Sequence, residues 1–437
     1  MKQQVFFVGT EAEVDHHAKP LKQLLDYALV EPDDLARRAM PGDLAIFFSE
    51  HFDRFREAVQ TAKQNQIATL YMVDGILEWR NAWENRTDEP ACPFAMRPVL
   101  SHKVACIGNS QARVLANWGN AEKVEVVGVP RFDSLACQYV KQLQLDESPA
   151  TDRLRKGPHR LLVMTAKFPA YTEEQRQLLG KSLGDLKSFL DGRSDIEVTW
   201  RLTKGWAEKL GVENQLRDFS GAELSATLDS VDAVISTPST ALLESSLKNL
   251  PTAILDYSNS PQYVASVWNI TAVDHIEHTV GDMLTRPPRK MFLQQQLLAD
   301  ALHFQSNSAE RMRELIVGML AEAKGCLDAK RELSFPRGML PAVKAIDPRT
   351  LDHEAVFDGF PEFQCDDQLE LQAQLAHARR EVNHLKSQLN QIQSELSQAH
   401  AIFDEINSHP IAGPIVKIRR KLNAMIERLK KPKPNPA

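Results

Sequence analysis

The sequence predicts an α/β chain: two doubly wound, Rossmann-like domains, then a helical coiled coil and a basic amphipathic tail. Three observations predict it. Short runs rich in Val, Ile and Phe alternate with helical patterns, a polar proline-bearing stretch divides those runs into two sets, and beyond them an apolar repeat of 4,3,4,3 continues unbroken.

The runs are "QVFFVG", "DLAIFF", "ATLYMV", "KVACIG", "VEVVG", "RLLVMTA", "EVTWRL", "DAVIS" and "TAILDY", each followed by polar residues, Gly or Pro. Nearly continuous apolar runs of this length mark strands buried on both faces, and helical patterns between them imply parallel sheets. The stretch "CQYVKQLQLDESPATDRLRKGPHR" leaves five runs before it and four after it. It reads as a linker, 137–160, between two doubly wound domains, 1–136 and 161–326. A proline-punctuated linker, 327–366, precedes the coiled coil, 367–408, and the tail, 409–437.

Composition narrows the function. In 437 residues, 43% are hydrophobic and 25% charged, which excludes wholesale disorder, and the net charge of -6 gives no general case for nucleic-acid binding. The five cysteines, Cys92, Cys106, Cys137, Cys326 and Cys365, are odd in number and form no C-x-x-C pair, against both a disulfide framework and a zinc knuckle. Apolar residues at the N-terminus are too few for a signal peptide, and no window approaches the roughly 18 needed for a membrane span. The expected location is cytoplasmic.

In open parallel sheets, ligands bind beyond the carboxyl ends of the strands. The stretch "VDAVISTPSTALLESSLKNLPTAILDY", 231–257, reads as a strand over 231–235, a hydroxyl-rich turn, a helix over 240–248 with Ser239 as N-cap, and Asn249 as a left-handed cap. The unpaired amides of such a first turn favour an anion. Glu244 lies five residues beyond Ser239, whereas a capping box would use position 242, a leucine. Its carboxylate either pairs with Lys248 at i,i+4 or serves a ligand, for instance ribose hydroxyls.

This stretch resembles the donor-binding signature of glycosyltransferases of the two-Rossmann-domain type, GT-B, a design shared by nucleotide-sugar 2-epimerases. "VEVVGVPRFDSL", 124–135, is similar to the Gly-x-Pro-x-x-Asp segment closing the first domain in that superfamily, and "RLLVMTAKFPAYTEEQRQLL", 160–179, to the opening of its donor domain. The resemblance covers roughly residues 1–325. It implies that Ser239 and Thr240 contact a donor diphosphate, that Glu244 holds the ribose, and that Lys167, Arg201 and Lys204 offset phosphate charge. It implies no cofactor beyond the nucleotide-sugar donor substrate, and no metal, since the family lacks the Asp-x-Asp motif and this chain has none. A terminal helix crossing back to the first domain is also implied.

The first domain should supply the general base. Asp74 precedes Gly75 where capsule and teichoic-acid transferases carry a His-Gly pair, and Glu50 with His51 follows "DLAIFF". His16 and His17 follow the first run, and His102 with Lys103 precedes the fourth. Trp79 and Trp83, at i,i+4, form either core or a sugar-stacking platform. So short a first domain suggests an acceptor presented from outside, such as a lipid-linked glycan.

From Leu371 the apolar positions are Leu371, Leu375, Ala378, Val382, Leu385, Leu389, Ile392, Leu396, Ala399, Phe403 and Ile406, which indicates self-association through a coiled coil, expected to be a dimer. In the tail, Ile415, Ile418, Leu422, Met425 and Leu429 line one face among Lys417, Arg419, Arg420, Lys421, Arg428, Lys430 and Lys431. This pattern suits an anionic membrane surface, so the protein is expected to lie peripherally on the inner face of the cytoplasmic membrane. The tail lacks stacking aromatics, against nucleic acid. The overall expectation is a metal-independent GT-B glycosyltransferase moving a sugar from a nucleotide-diphosphate donor to a surface-polysaccharide or lipid-linked glycan acceptor. The alternatives are a 2-epimerase or a CDP-glycerol-type glycerophosphotransferase on the same fold, or a non-enzymatic coiled-coil scaffold.

Overall fold

The computed structural model describes residues 3–73, 75–84, 95–145, 157–215 and 223–343, together with 382, 385–386, 388–397, 418–419, 422–423 and 425–426. The chain forms two compact units, Met1–Leu351 and Asp352–Ala437.

The first unit holds two wholly parallel sheets. Strands β1 (Val5–Val8), β2 (Tyr27–Val30), β3 (Leu44–Phe47), β4 (Ala68–Met72), β5 (Lys103–Cys106) and β6 (Val124–Val126) stand in the order β2-β1-β3-β4-β5-β6. The second sheet has the order β11-β10-β9-β7-β8, from β7 (His159–Met164), β8 (Ile196–Arg201), β9 (Ala233–Ser236), β10 (Thr252–Leu255) and β11 (Trp268–Ile270). All nine predicted runs are strands. Their alternate residues enter opposite cores: Phe7, Ile46 and Leu70 face one side of the first sheet, while Phe6, Ala45 and Phe47 face the other. Leu161, Val163 and Ile235 divide in the same way from Leu162, Met164 and Val234.

In both sheets the chain winds outward in two directions from one strand, giving switch points between β1 and β3 and between β7 and β9. Crevices open at such points, so the loops after these strands position the site.

The helix Ser308–Asp328 lies in the donor range of the sequence division, yet it packs on the first sheet. Its Met312, Leu315, Ile316 and Met319 are fully buried against Val5, Phe7, Leu44 and Leu70; each such side chain is worth about 1.5–3 kcal/mol of burial. Both Asp133 carboxylate oxygens accept from its first turn, Ser308 N at 2.8 Å and Ala309 N at 2.9 Å. Arg113 of the first domain makes a bidentate pair with Asp300, at 2.7 and 2.6 Å, on the preceding helix Pro288–Ala301. The crossing therefore joins the two domains through a shared core and charged clamps.

In the second unit the described residues 382, 385–386 and 388–397 are helical. Val382, Leu385, Leu389, Ile392 and Leu396 are exposed, as are Ile418, Leu422 and Met425. The rest of the predicted coiled coil and tail lies outside the described residues. Among the described residues, no helix is long and apolar enough to cross a membrane.

Candidate functional site

The site is built from loops at the carboxyl ends of both sheets. After β1, Gly9 and Thr10 lead into the helix Glu11–His17, started by a capping box in which Thr10 N donates to Glu13 Oε2 at 2.7 Å and Glu13 N to Thr10 Oγ1 at 3.3 Å. The helix ends at His16 and His17, whose rings meet edge to face at 4.5 Å. His17 lies 5.2 Å from the Phe48 ring after β3. Burial lowers the His17 pKa to about 4, with Arg131 and Lys167 pushing the same way and Glu13 opposing, so the imidazole is neutral at neutral pH.

Arg131 belongs to the turn Pro130–Phe132 after β6, where it lies over the Phe132 ring at 4.8 Å and bonds His16 Nε2 at 2.6 Å. Its charge is felt by two groups of different domains, His17 and Glu244. Glu244 is on the helix Ala241–Leu247. Burial raises its pKa, while Arg131 and Arg201 draw it down. Arg201 ends β8 and is buried, whereas Lys167, in the loop after β7, is exposed. His17, Arg131, Lys167, Arg201 and Glu244 thus form one electrostatic neighbourhood across the two domains.

The pair with Lys248 is not formed: the Lys248 ammonium binds Asp229 at 2.7 Å instead. The cap after this helix is as predicted, with Asn249 at φ 55°. The helix starts one residue later than expected, with Thr240 rather than Ser239 at the N-cap and no side-chain cap bond. Ser239 is nearly buried, its hydroxyl 3.3 Å from that of Ser236. Thr240 faces the first domain, where its Oγ1 accepts from Ile76 N at 3.2 Å. Gly75 is required there, because a Cβ at that position would lie 2.0 Å from the same oxygen. The loops after β7, β8 and β9 also brace one another: Ala166 N donates to Thr237 Oγ1 at 2.8 Å, and Thr203 N to Thr165 Oγ1 at 2.8 Å. Lys204 lies on the exposed turn after β8.

The first-domain candidates separate. Glu50 is buried, and its oxygens accept from Leu100 N at 2.7 Å and Ser101 N at 2.8 Å, so it braces the loop before β5. His51 N donates to Ser49 Oγ at 3.1 Å and its ring meets Phe52 edge to face at 5.4 Å; burial and then Arg56 lower its pKa. Asp74 lies outside the described residues. His102 Nδ1 faces Thr69 Oγ1 at 2.8 Å, and Lys103 forms a buried pair with Glu125 at 2.8 Å, both at the opposite end of the strands. Trp79 and Trp83 stack at 5.2 Å, with Trp83 Nε1 donating to Tyr263 OH of the second domain at 2.9 Å. Both rings are in packing contacts rather than forming an open platform.

The sequence reading missed Arg131, although the rule that selected Lys167 and Arg201, a cation just past the carboxyl end of a strand, applies equally to it. Among the described residues, no group of three or more His, Cys, Asp or Glu side chains is placed to hold a metal ion. Two guanidinium groups, Arg131 and Arg201, beside one half-buried carboxylate suit a ligand carrying both an anion and hydroxyl donors.

No protein-family model matches the chain, and no curated protein matches it. It is similar to several solved structures at low identity. The Staphylococcus aureus MnaA–UDP structure is 12% identical and matches 77% of this chain and 100% of its own with a TM-score of 0.48. A Methanocaldococcus jannaschii UDP-GlcNAc 2-epimerase with UDP-GlcNAc and UDP is 11% identical over 72% and 99% of the two chains, TM-score 0.48. The wall teichoic acid polymerase TagF is 13% identical over 74% and 90%, TM-score 0.44.

Proposed function

We propose that this chain is a metal-independent GT-B glycosyltransferase that moves a sugar from a nucleoside-diphosphate donor to a surface-polysaccharide or lipid-linked glycan acceptor. The observation that carries the reading is Glu244: a carboxylate whose pKa burial raises, left unpaired by Lys248 and facing arginines of both domains. In this reading it accepts ribose hydroxyls. Arg131, Lys167 and Arg201 offset the charge that grows on the diphosphate as its bond to the anomeric carbon breaks, with Lys204 and Ser239 at the rim. Thr240 acts by tying the donor loop to the first domain.

As the acceptor oxygen bonds the anomeric carbon, its proton passes to a base of the first domain. The reading favours His17, neutral at neutral pH and under the charges of Arg131 and Lys167, one from each domain, and keeps Asp74 and His51 as candidates to be separated by substitution; Glu50 is set aside for its backbone bonds. The chain further self-associates through the coiled coil and meets an anionic membrane surface through its tail. Titrating the full-length protein by calorimetry with UDP, CDP, GDP and TDP tests the core of the proposal. One of them should bind with a Kd in the micromolar range; absence of binding by all four overturns it. A 2-epimerase on the same fold would isomerise the donor sugar with no acceptor present.

A further inference from the structure

The exposed seam of the second unit carries more than an apolar repeat. Val382, Leu389 and Leu396 occupy the a positions of the heptad and Leu385 and Ile392 the d positions, all on helical backbone and each about half exposed. The positions flanking this seam are sorted by charge. Every acid among them stands at g, Glu381 and Glu395, alternating with Gln374 and Gln388. Every base stands at e, Arg379, Lys386 and His400, with Gln372 and Gln393. Of these, Lys386, Gln388, Gln393 and Glu395 are among the described residues.

The sorting selects an orientation. In a parallel pair, each g faces the e of the following heptad of its partner, whereas in an antiparallel pair g faces g and e faces e. Parallel, in-register alignment sets Glu381 against the partner's Lys386 and Glu395 against the partner's His400. No antiparallel alignment, at any offset, sets an acid against a base, and some set Glu381 against Glu395. A slip by one heptad keeps the parallel sense but exchanges these matches, each made twice per dimer, for a single Glu381–Arg379 match and loses a layer of apolar contact. We infer that this surface is the interface to a second copy of the chain, paired parallel and in register, with the g-to-e charges choosing the orientation. The consequence is that the residues beyond 406 of both copies emerge at the same end.

This inference rests on the self-association proposed above, and its test separates the two. Glu381→Lys would face the partner's Lys386 in the parallel pair, twice per dimer. Mass photometry of the full-length protein at low salt should show roughly tenfold weaker dimerisation for Glu381→Lys and for Lys386→Glu, and recovery to about the original affinity in the combined swap. The difference should fade in high salt. An antiparallel pair would respond in the opposite sense, because Lys at 381 would relieve repulsion or meet Glu395. Tighter or unchanged association of Glu381→Lys therefore overturns the orientation alone, while a monomeric original protein overturns self-association with it. Oxidation of Val382→Cys gives an independent reading: a disulfide dimer absent from the original protein is expected, and its absence in a protein that is still dimeric overturns the register.

Discussion

The loop after β3 holds a buried glutamate, Glu50, and the helix Ala241–Leu247 a half-buried one, Glu244, and in both cases desolvation raises the carboxyl pKa. Their surroundings differ. Glu50 is 1% exposed and receives two backbone amides, from Leu100 and Ser101. Glu244 has for charged neighbours the side chains of Arg131 and Arg201, one from each domain. Backbone donors are fixed when the fold forms, so the acid they hold is part of the scaffold. Side-chain cations at a domain boundary can rearrange around an incoming anion, so the acid they surround is available to a ligand. Burial alone does not distinguish a structural acid from a functional one; the kind of donor that offsets it does.

The largest effect should come from the scaffold member. Glu50→Ala leaves two buried amides without an acceptor, and each such loss costs about 1–3 kcal/mol. Chemical denaturation should show about 2–4 kcal/mol less stability, while the protein that remains folded binds nucleoside diphosphate with unchanged affinity. Stability within about 0.5 kcal/mol of the original would mean that the two amides find other acceptors and that Glu50 is not a brace.

Glu244→Gln should do the reverse. Removing a charge that burial disfavours should raise the melting temperature of the ligand-free protein by roughly 1–3 °C, the usual exchange at a functional site. Because the folded-state pKa of Glu244 is raised, the stability it contributes is present in acid and lost as pH rises above the ordinary carboxylate range. The gain in the Gln variant should therefore grow from pH 4 towards pH 8. Nucleotide affinity should fall roughly tenfold, the loss of about one charge-assisted hydrogen bond. A lower melting temperature with unchanged affinity would make Glu244 a second structural acid.

Much of this arrangement was legible in the sequence, for identifiable reasons. Seven of the nine strands recognised, all but β6 and β8, are interior, and burial on both faces forces near-continuous apolar runs there. The two strands missed, β2 and β11, are edge strands, as are β6 and β8, whose runs were recognised. In β11 the exposed Asn269 interrupts a three-residue strand, whereas β2, "YALV", is a continuous apolar run that is only half-buried over its first three residues. The apolar stripe of the Ser308–Asp328 helix was also visible; a stripe does not say which sheet it covers, and it was the family resemblance that implied its crossing to the first domain. Among the candidate site residues, Lys167, Arg201 and Glu244 were singled out by their place after strands or within a helix. Arg131 was missed because its segment was read only as a domain boundary, and Glu50 was misread because the amides that hold it come from 50 residues further along. Local pattern reports on strands and caps; it does not report on a partner brought in by the fold.

The smallest effect expected bears most directly on the contrast. Lys248 follows Glu244 at i,i+4, the spacing of an ordinary surface pair, and if that pair were the reason for Glu244, the functional reading would have no observation to stand on. The Lys248 ammonium instead binds Asp229, whose side chain is 61% exposed. An ion pair with one partner in water contributes at most about 0.5–1 kcal/mol and is weakened by salt. Lys248→Ala should therefore lower stability by no more than about 0.5 kcal/mol, shrinking further in high salt, and should leave nucleotide affinity within about twofold of the original, which is under 0.5 kcal/mol. Combined with Glu244→Gln, its effect should simply add, since residues that share no partner do not couple. A coupling above about 0.5 kcal/mol between the two substitutions, or a tenfold loss of affinity from Lys248→Ala alone, would mean that the helix holds its acid through Lys248 after all. Glu244 would then belong with Glu50 among the braces.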